Sequence, residues 1–126
     1  MSTSTRTMKI PGPDHPITMT PSGKTWRVKF RGETIAESAS TLVMQEASYP
    51  PVVYFPRKDV QMDKLIRTDH HSWCPYKGEA SYFSLRANEG SEENAVWTYE
   101  TPFEAVGAIR ELVAFYPNKI DGIEEV

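Results

Sequence analysis

The chain has 126 residues, 39% of them hydrophobic and 25% charged, with a formal net charge of −3 and a pI near 5.6. That length suits one domain with its own core, and the weakly acidic balance removes the attraction that supplies most nucleic-acid affinity. A single cysteine excludes an intrachain disulfide, the N-terminus lacks the apolar run of a secretory signal, and no apolar stretch approaches the ~20 residues of a membrane span. A soluble, cytoplasmic protein with neither nucleic acid nor membrane as partner is expected. The charge is uneven: residues 1–87 hold 12 Lys/Arg against 8 Asp/Glu, whereas residues 88–126 hold 2 against 9.

Residues 1–16 read as a flexible arm, because Pro11, Gly12, Pro13 and Pro16 forbid regular structure; residues 17–126 read as a single β domain. A short edge strand is expected over 17–20, closed by the turn residues Pro21-Ser22-Gly23-Lys24. From Thr25 to Arg31 the period is two, with Trp26, Val28 and Phe30 on one face and Arg27, Lys29 and Arg31 on the other. Gly32-Glu33 turns the chain into a hairpin partner over 34–38. Residues 41–46 and the β-branched, aromatic run Val52-Val53-Tyr54-Phe55 give two more strands. Pro56 stops the second of these, and 57–67 reads as one or two helical turns.

Residues 69–82 concentrate reactive groups: two of the three histidines (His70 and His71), the only cysteine (Cys74), Trp73, Tyr76, Lys77 and Tyr82. Alternation over 79–86 predicts a strand whose Tyr82, Ser84 and Arg86 oppose Ser81, Phe83 and Leu85. Its antiparallel partner, 95–99, places Ala95, Trp97 and Tyr99 together. Thr101-Pro102-Phe103-Glu104 has the form of a capping box, with a helix expected to about Arg110. Leu112 to Tyr116 returns to strand, and Ile120 to Val126 is an acidic end. The sum is a mainly-β domain of two antiparallel sheets with one or two short helices.

His70, His71, Cys74 and Asp69 could ligate a metal, but structural zinc usually draws on paired cysteines. No metal and no cofactor are expected. Cys74 could act as a nucleophile, with His71 as base and Lys77 as electrostatic stabiliser; the plainer account of a lone cysteine is a small buried hydrophobe. Trp73, Tyr76, Tyr82, Trp97 and Tyr99 could line a small-molecule pocket, whereas Trp26, Phe30, Phe83 and Phe115 suit a core. No Gly-rich phosphate loop, nucleophile elbow or His-Glu-x-x-His is present.

Several ordered blocks resemble one family: Val53-Tyr54-Phe55-Pro56 with Asp59-Val60, Cys74-Pro75-Tyr76-Lys77-Gly78 with Ala80 and Tyr82, Ala95-Val96-Trp97 with Tyr99 and Pro102, and Ala114-Phe115-Tyr116 with Lys119-Ile120. These blocks, spread from about Trp26 to Glu124, resemble domain of unknown function 427, also labelled nucleotidyltransferase-like. The resemblance implies a β-tent-like domain, similar to methionine sulfoxide reductase B and to the thalidomide-binding domain of cereblon. Those relatives hold zinc with two cysteine pairs, which this chain lacks. It also lacks the Gly-Ser with paired aspartates that a metal-dependent nucleotidyltransferase would need.

The reading that follows is a small polar or anionic ligand in an aromatic pocket lined by Tyr54, Arg57, His71, Cys74, Tyr76, Lys77, Tyr82 and Trp97. Arg57 and Lys77 would carry the anion, while Trp97 and Tyr82 would hold the flat part. The alternatives are an enzyme built on Cys74 and His71, and a protein-interaction module using the acidic C-terminal part.

Overall fold

The computed structural model describes residues 7–126; the first six residues of the expected arm lie outside that range. In chain order the strands are β1 (Ile17–Pro21), β2 (Trp26–Phe30), β3 (Glu33–Ser38), β4 (Leu42–Glu46), β5 (Val52–Tyr54), β6 (Leu65–Cys74), β7 (Gly78–Ala87), β8 (Gly90–Thr98), β9 (Val113–Phe115) and β10 (Gly122–Glu125). They form three antiparallel sheets, ordered β1-β4-β5, β10-β2-β3 and β6-β7-β8-β9. The domain is mainly β as expected, but it has three sheets where two were read. The extra division arises because β4 leaves the β2–β3 hairpin and is clipped to β1. Ser22 donates its N–H to the Thr41 carbonyl at 3.0 Å, and the two hydroxyls lie 2.7 Å apart.

Two stretches differ from their expected helices. Residues 57–67 contribute only the 3₁₀ turns Arg57–Asp59 and Met62–Lys64 before β6 begins at Leu65. The helix expected from Thr101 is a 3₁₀ segment, Glu104–Ile109, broken at Val106 and without a side-chain cap. Pro102 disfavours helical backbone at Thr101, and the Phe103 N–H is already donated to the Lys77 carbonyl at 3.1 Å. The acidic end is a strand as well. In β10, Ile123 pairs opposite Val28, Glu124 and Glu125 sit 3.7 and 3.4 Å from Arg27 and Lys24, and the Asp121 carboxylate accepts the N–H groups of Arg31 and Gly32. Part of the acidic tail is thus spent on the basic face of β2.

The central strand β7 is buried on both faces. Phe83 and Leu85 enter one core with Val28, Phe30, Ile35, Phe55, Val96 and Phe115. Ala80 and Tyr82 enter another with Met44, Tyr54, Tyr99, Val106, Ile109 and Ala114. Each fully buried Val, Ile, Leu or Phe contributes roughly 1.5–3 kcal/mol, so both cores support the fold. Ala95, read as sharing a face with Trp97 and Tyr99, packs into the first core. Asn94 takes a left-handed φ of 51°, and the β7–β8 register slips between Phe83 and Leu85; this bulge turns Ala95 over. No helix among the described residues is long and apolar enough to cross a membrane.

Candidate functional site

A cavity of about 320 Å³ lies between the β1-β4-β5 sheet and the four-stranded sheet. Strand alternation builds its wall, since side chains two apart share a face. Met44 and Glu46 come from β4, Val52 and Tyr54 from β5, Ser72 and Cys74 from β6, and Trp97 with Tyr99 from β8 and its exit. Register then sets what lies side by side. Tyr82 pairs opposite Trp97 and Trp97 opposite Ala114, while Ser72 pairs opposite Ala80. Ala80 and Ala114 belong to the same buried cluster as Tyr54, Tyr82 and Tyr99.

The rings form a connected set. Tyr116 lies parallel to Tyr82 with centroids 6.4 Å apart and tilts against Trp97 at 4.5 Å. The Trp97 indole meets Tyr54 edge-on and donates Nε1–H to the Tyr54 hydroxyl at 3.3 Å. A hydroxyl chain runs from Ser72 to Tyr82 at 2.8 Å and on to Tyr116 at 3.3 Å. The Tyr99 hydroxyl has no hydrogen-bond partner among the described residues. Burial pushes the titration of Tyr54, Tyr99 and Tyr116 above the ordinary phenol range, so these phenols keep their protons and can donate.

One ion pair borders the cavity. The β6–β7 turn carries Lys77, whose ammonium donates to Glu46 of β4, and both side chains are nearly buried. His15 Nε2 sits 2.9 Å from the other Glu46 oxygen. Burial opposes ionisation of Glu46, but the bonds from Lys77 and His15 outweigh it and hold the carboxyl below its ordinary range. The turn is shaped by Gly78, at φ +103°, a backbone that residues with a Cβ rarely adopt.

Of the sequence-predicted residues, Tyr54, Cys74, Lys77, Tyr82 and Trp97 converge on this cavity. The other three lie elsewhere. Arg57 is held by Glu100 at 3.2 Å and by the Glu111 carbonyl at 2.7 Å. Tyr76 stacks face to face on His15, with centroids 3.9 Å apart. His71 is exposed, and as a strand residue three positions from Cys74 it faces the other way. Among the described residues no His, Cys, Asp or Glu cluster of metal-binding size forms. Glu46, Ser72 and Tyr116 are cavity residues that the sequence reading did not place there, whereas Trp73 and Tyr99, read as pocket aromatics, do line it. Tyr99 was legible because it alternates with Trp97; Glu46 lies 31 residues from Lys77 and had no local signal.

No curated protein matches the chain. A family model described as Domain of unknown function (DUF427) matches residues 18–126, which take in every strand except the first residue of β1, and the chain belongs to that family.

Proposed function

We propose that the cavity binds a small polar molecule whose inserted part is flat, uncharged and rich in hydrogen-bond acceptors. The observation that carries this reading is the pairing of unspent phenol donors with a cancelled charge. The Tyr54 hydroxyl accepts from Trp97 and keeps its own proton to give, and the Tyr99 hydroxyl has no partner among the described residues. Lys77 is neutralised by Glu46, so a net anion would gain little from it and would meet the Glu46 carboxylate. A carbonyl-bearing ring suits this wall of donors and aromatic faces. A cytoplasmic place of action belongs to the same reading, supported by the unpaired Cys74.

The test is a ligand-observed NMR screen of neutral heteroaromatic amides and lactams beside quaternary amines and benzoate. Neutral acceptor-bearing rings are expected to bind and to shift the indole N–H signal of Trp97. Binding confined to the amines, or hits that leave that indole signal unmoved, would reject the proposal.

A further inference from the structure

A second hollow of about 310 Å³ shares Tyr82 and Tyr116 with the first cavity and is otherwise lined by His70, Asn94, Asn118 and Lys119. Among the described residues no carboxylate lines it, in contrast to the first cavity with its Glu46. Its donors are largely unspent. Lys119 gives one N–H to the Glu93 carbonyl at 2.7 Å, which leaves the rest of its ammonium free. Thr68 donates to the Asn94 side-chain oxygen at 2.7 Å, so that amide presents its NH₂ as a donor. The His70 ring leans edge-on against Tyr82 at 4.5 Å.

We infer that this hollow is an anion subsite, holding the carboxylate or phosphate of a ligand whose planar part occupies the first cavity. The inference rests on the proposed reading of that cavity and adds the ligand's charged group to it. Lys77 and Arg57 cannot serve this purpose freely, because Glu46 and Glu100 neutralise them. Lys119 has no carboxylate within ion-pair distance among the described residues, and it stands beside the aromatic pair common to both hollows. A carboxylate-free lining that offers the Lys119 ammonium and amide N–H donors, next to an aromatic slot, is the chemistry that recognises an aromatic acid or an aryl phosphate.

Two matched probes whose lactam ring carries the acceptor carbonyl test this, 2-quinolone-4-acetate and 2-quinolone-4-acetamide, titrated into protein labelled with ¹⁵N. The acetate is expected to bind on the order of tenfold more tightly and to move the side-chain amide signals of Asn94 and Asn118. Lys119→Met should abolish that preference while leaving acetamide binding unchanged. Lys58→Met, at an exposed lysine outside both linings, should preserve it. Equal affinities in the wild type, or a preference that survives Lys119→Met, would overturn the inference. If neither lactam binds, the reading of the first cavity fails, and inorganic phosphate then decides the second hollow alone. Salt-sensitive shifts at Asn94 and Asn118 that vanish in Lys119→Met would uphold the subsite, and their absence would reject it.

Discussion

Lys77 and Glu46 form an ion pair at the edge of the aromatic cavity, with side chains 12% and 14% exposed. The pair joins the β6–β7 turn to β4 and so ties two sheets together. It also sets the electrostatic character of the cavity, because it places both signs of charge there and leaves no excess of either.

Glu46→Gln should therefore act on stability. It removes the charge that holds Lys77 and His15, at an expected cost of about 1–3 kcal/mol near neutral pH, measured by urea denaturation. The pH dependence has a defined sign. The folded carboxyl titrates below its ordinary value of 4.5, so its contribution is present in full above that value and is lost as pH falls through it toward the folded pKa. The wild type should lose stability more steeply than Glu46→Gln in that acidic window. Parallel acid profiles for the two proteins would contradict the role given to the pair.

Gly78→Ala should destabilise the domain by about 1–3 kcal/mol. The cause is backbone strain at φ +103° and not crowding, since an added Cβ would come no closer than 3.7 Å to any atom outside its neighbours. Differential scanning calorimetry checks this, and an unchanged melting temperature would show that the turn relaxes without cost.

Much of this architecture can be read from local pattern. Alternation places Tyr82 opposite the Phe83 and Leu85 face, and the two faces of β7 do enter separate cores. The Trp97 and Tyr99 pair also follows from period two, and Tyr82 lies opposite Trp97 in the register. What local pattern misses is long-range partnership. Nothing near Arg57 in sequence announces Glu100, and the acidic end reads as a tail until β2 is seen to pair with it. The Thr101 capping box shows the same limit. Its residue types suit a helix, but the Phe103 N–H goes to Lys77 in a different element.

Trp97 separates the cavity reading from a purely structural one. Trp97→Phe keeps a ring against Tyr116 and loses the Nε1–H donated to Tyr54. Stability should fall by only about 1 kcal/mol, whereas affinity for a neutral ring ligand should fall several-fold, as read by titration calorimetry. A loss of several kcal/mol of stability with affinity intact would place Trp97 among the packing residues.

The most direct measurement concerns Tyr99. Its hydroxyl has no partner among the described residues, so Tyr99→Phe removes nothing the fold depends on. Melting temperature and denaturant midpoint should match the wild type. If the phenol serves a ligand's acceptor, the same change should weaken binding of the best neutral ring compound by roughly tenfold. Unchanged stability together with a tenfold loss of affinity, measured on the same protein preparations, is the result expected. Unchanged affinity for a compound that nonetheless shifts the Trp97 indole signal would contradict the proposed donor-lined site.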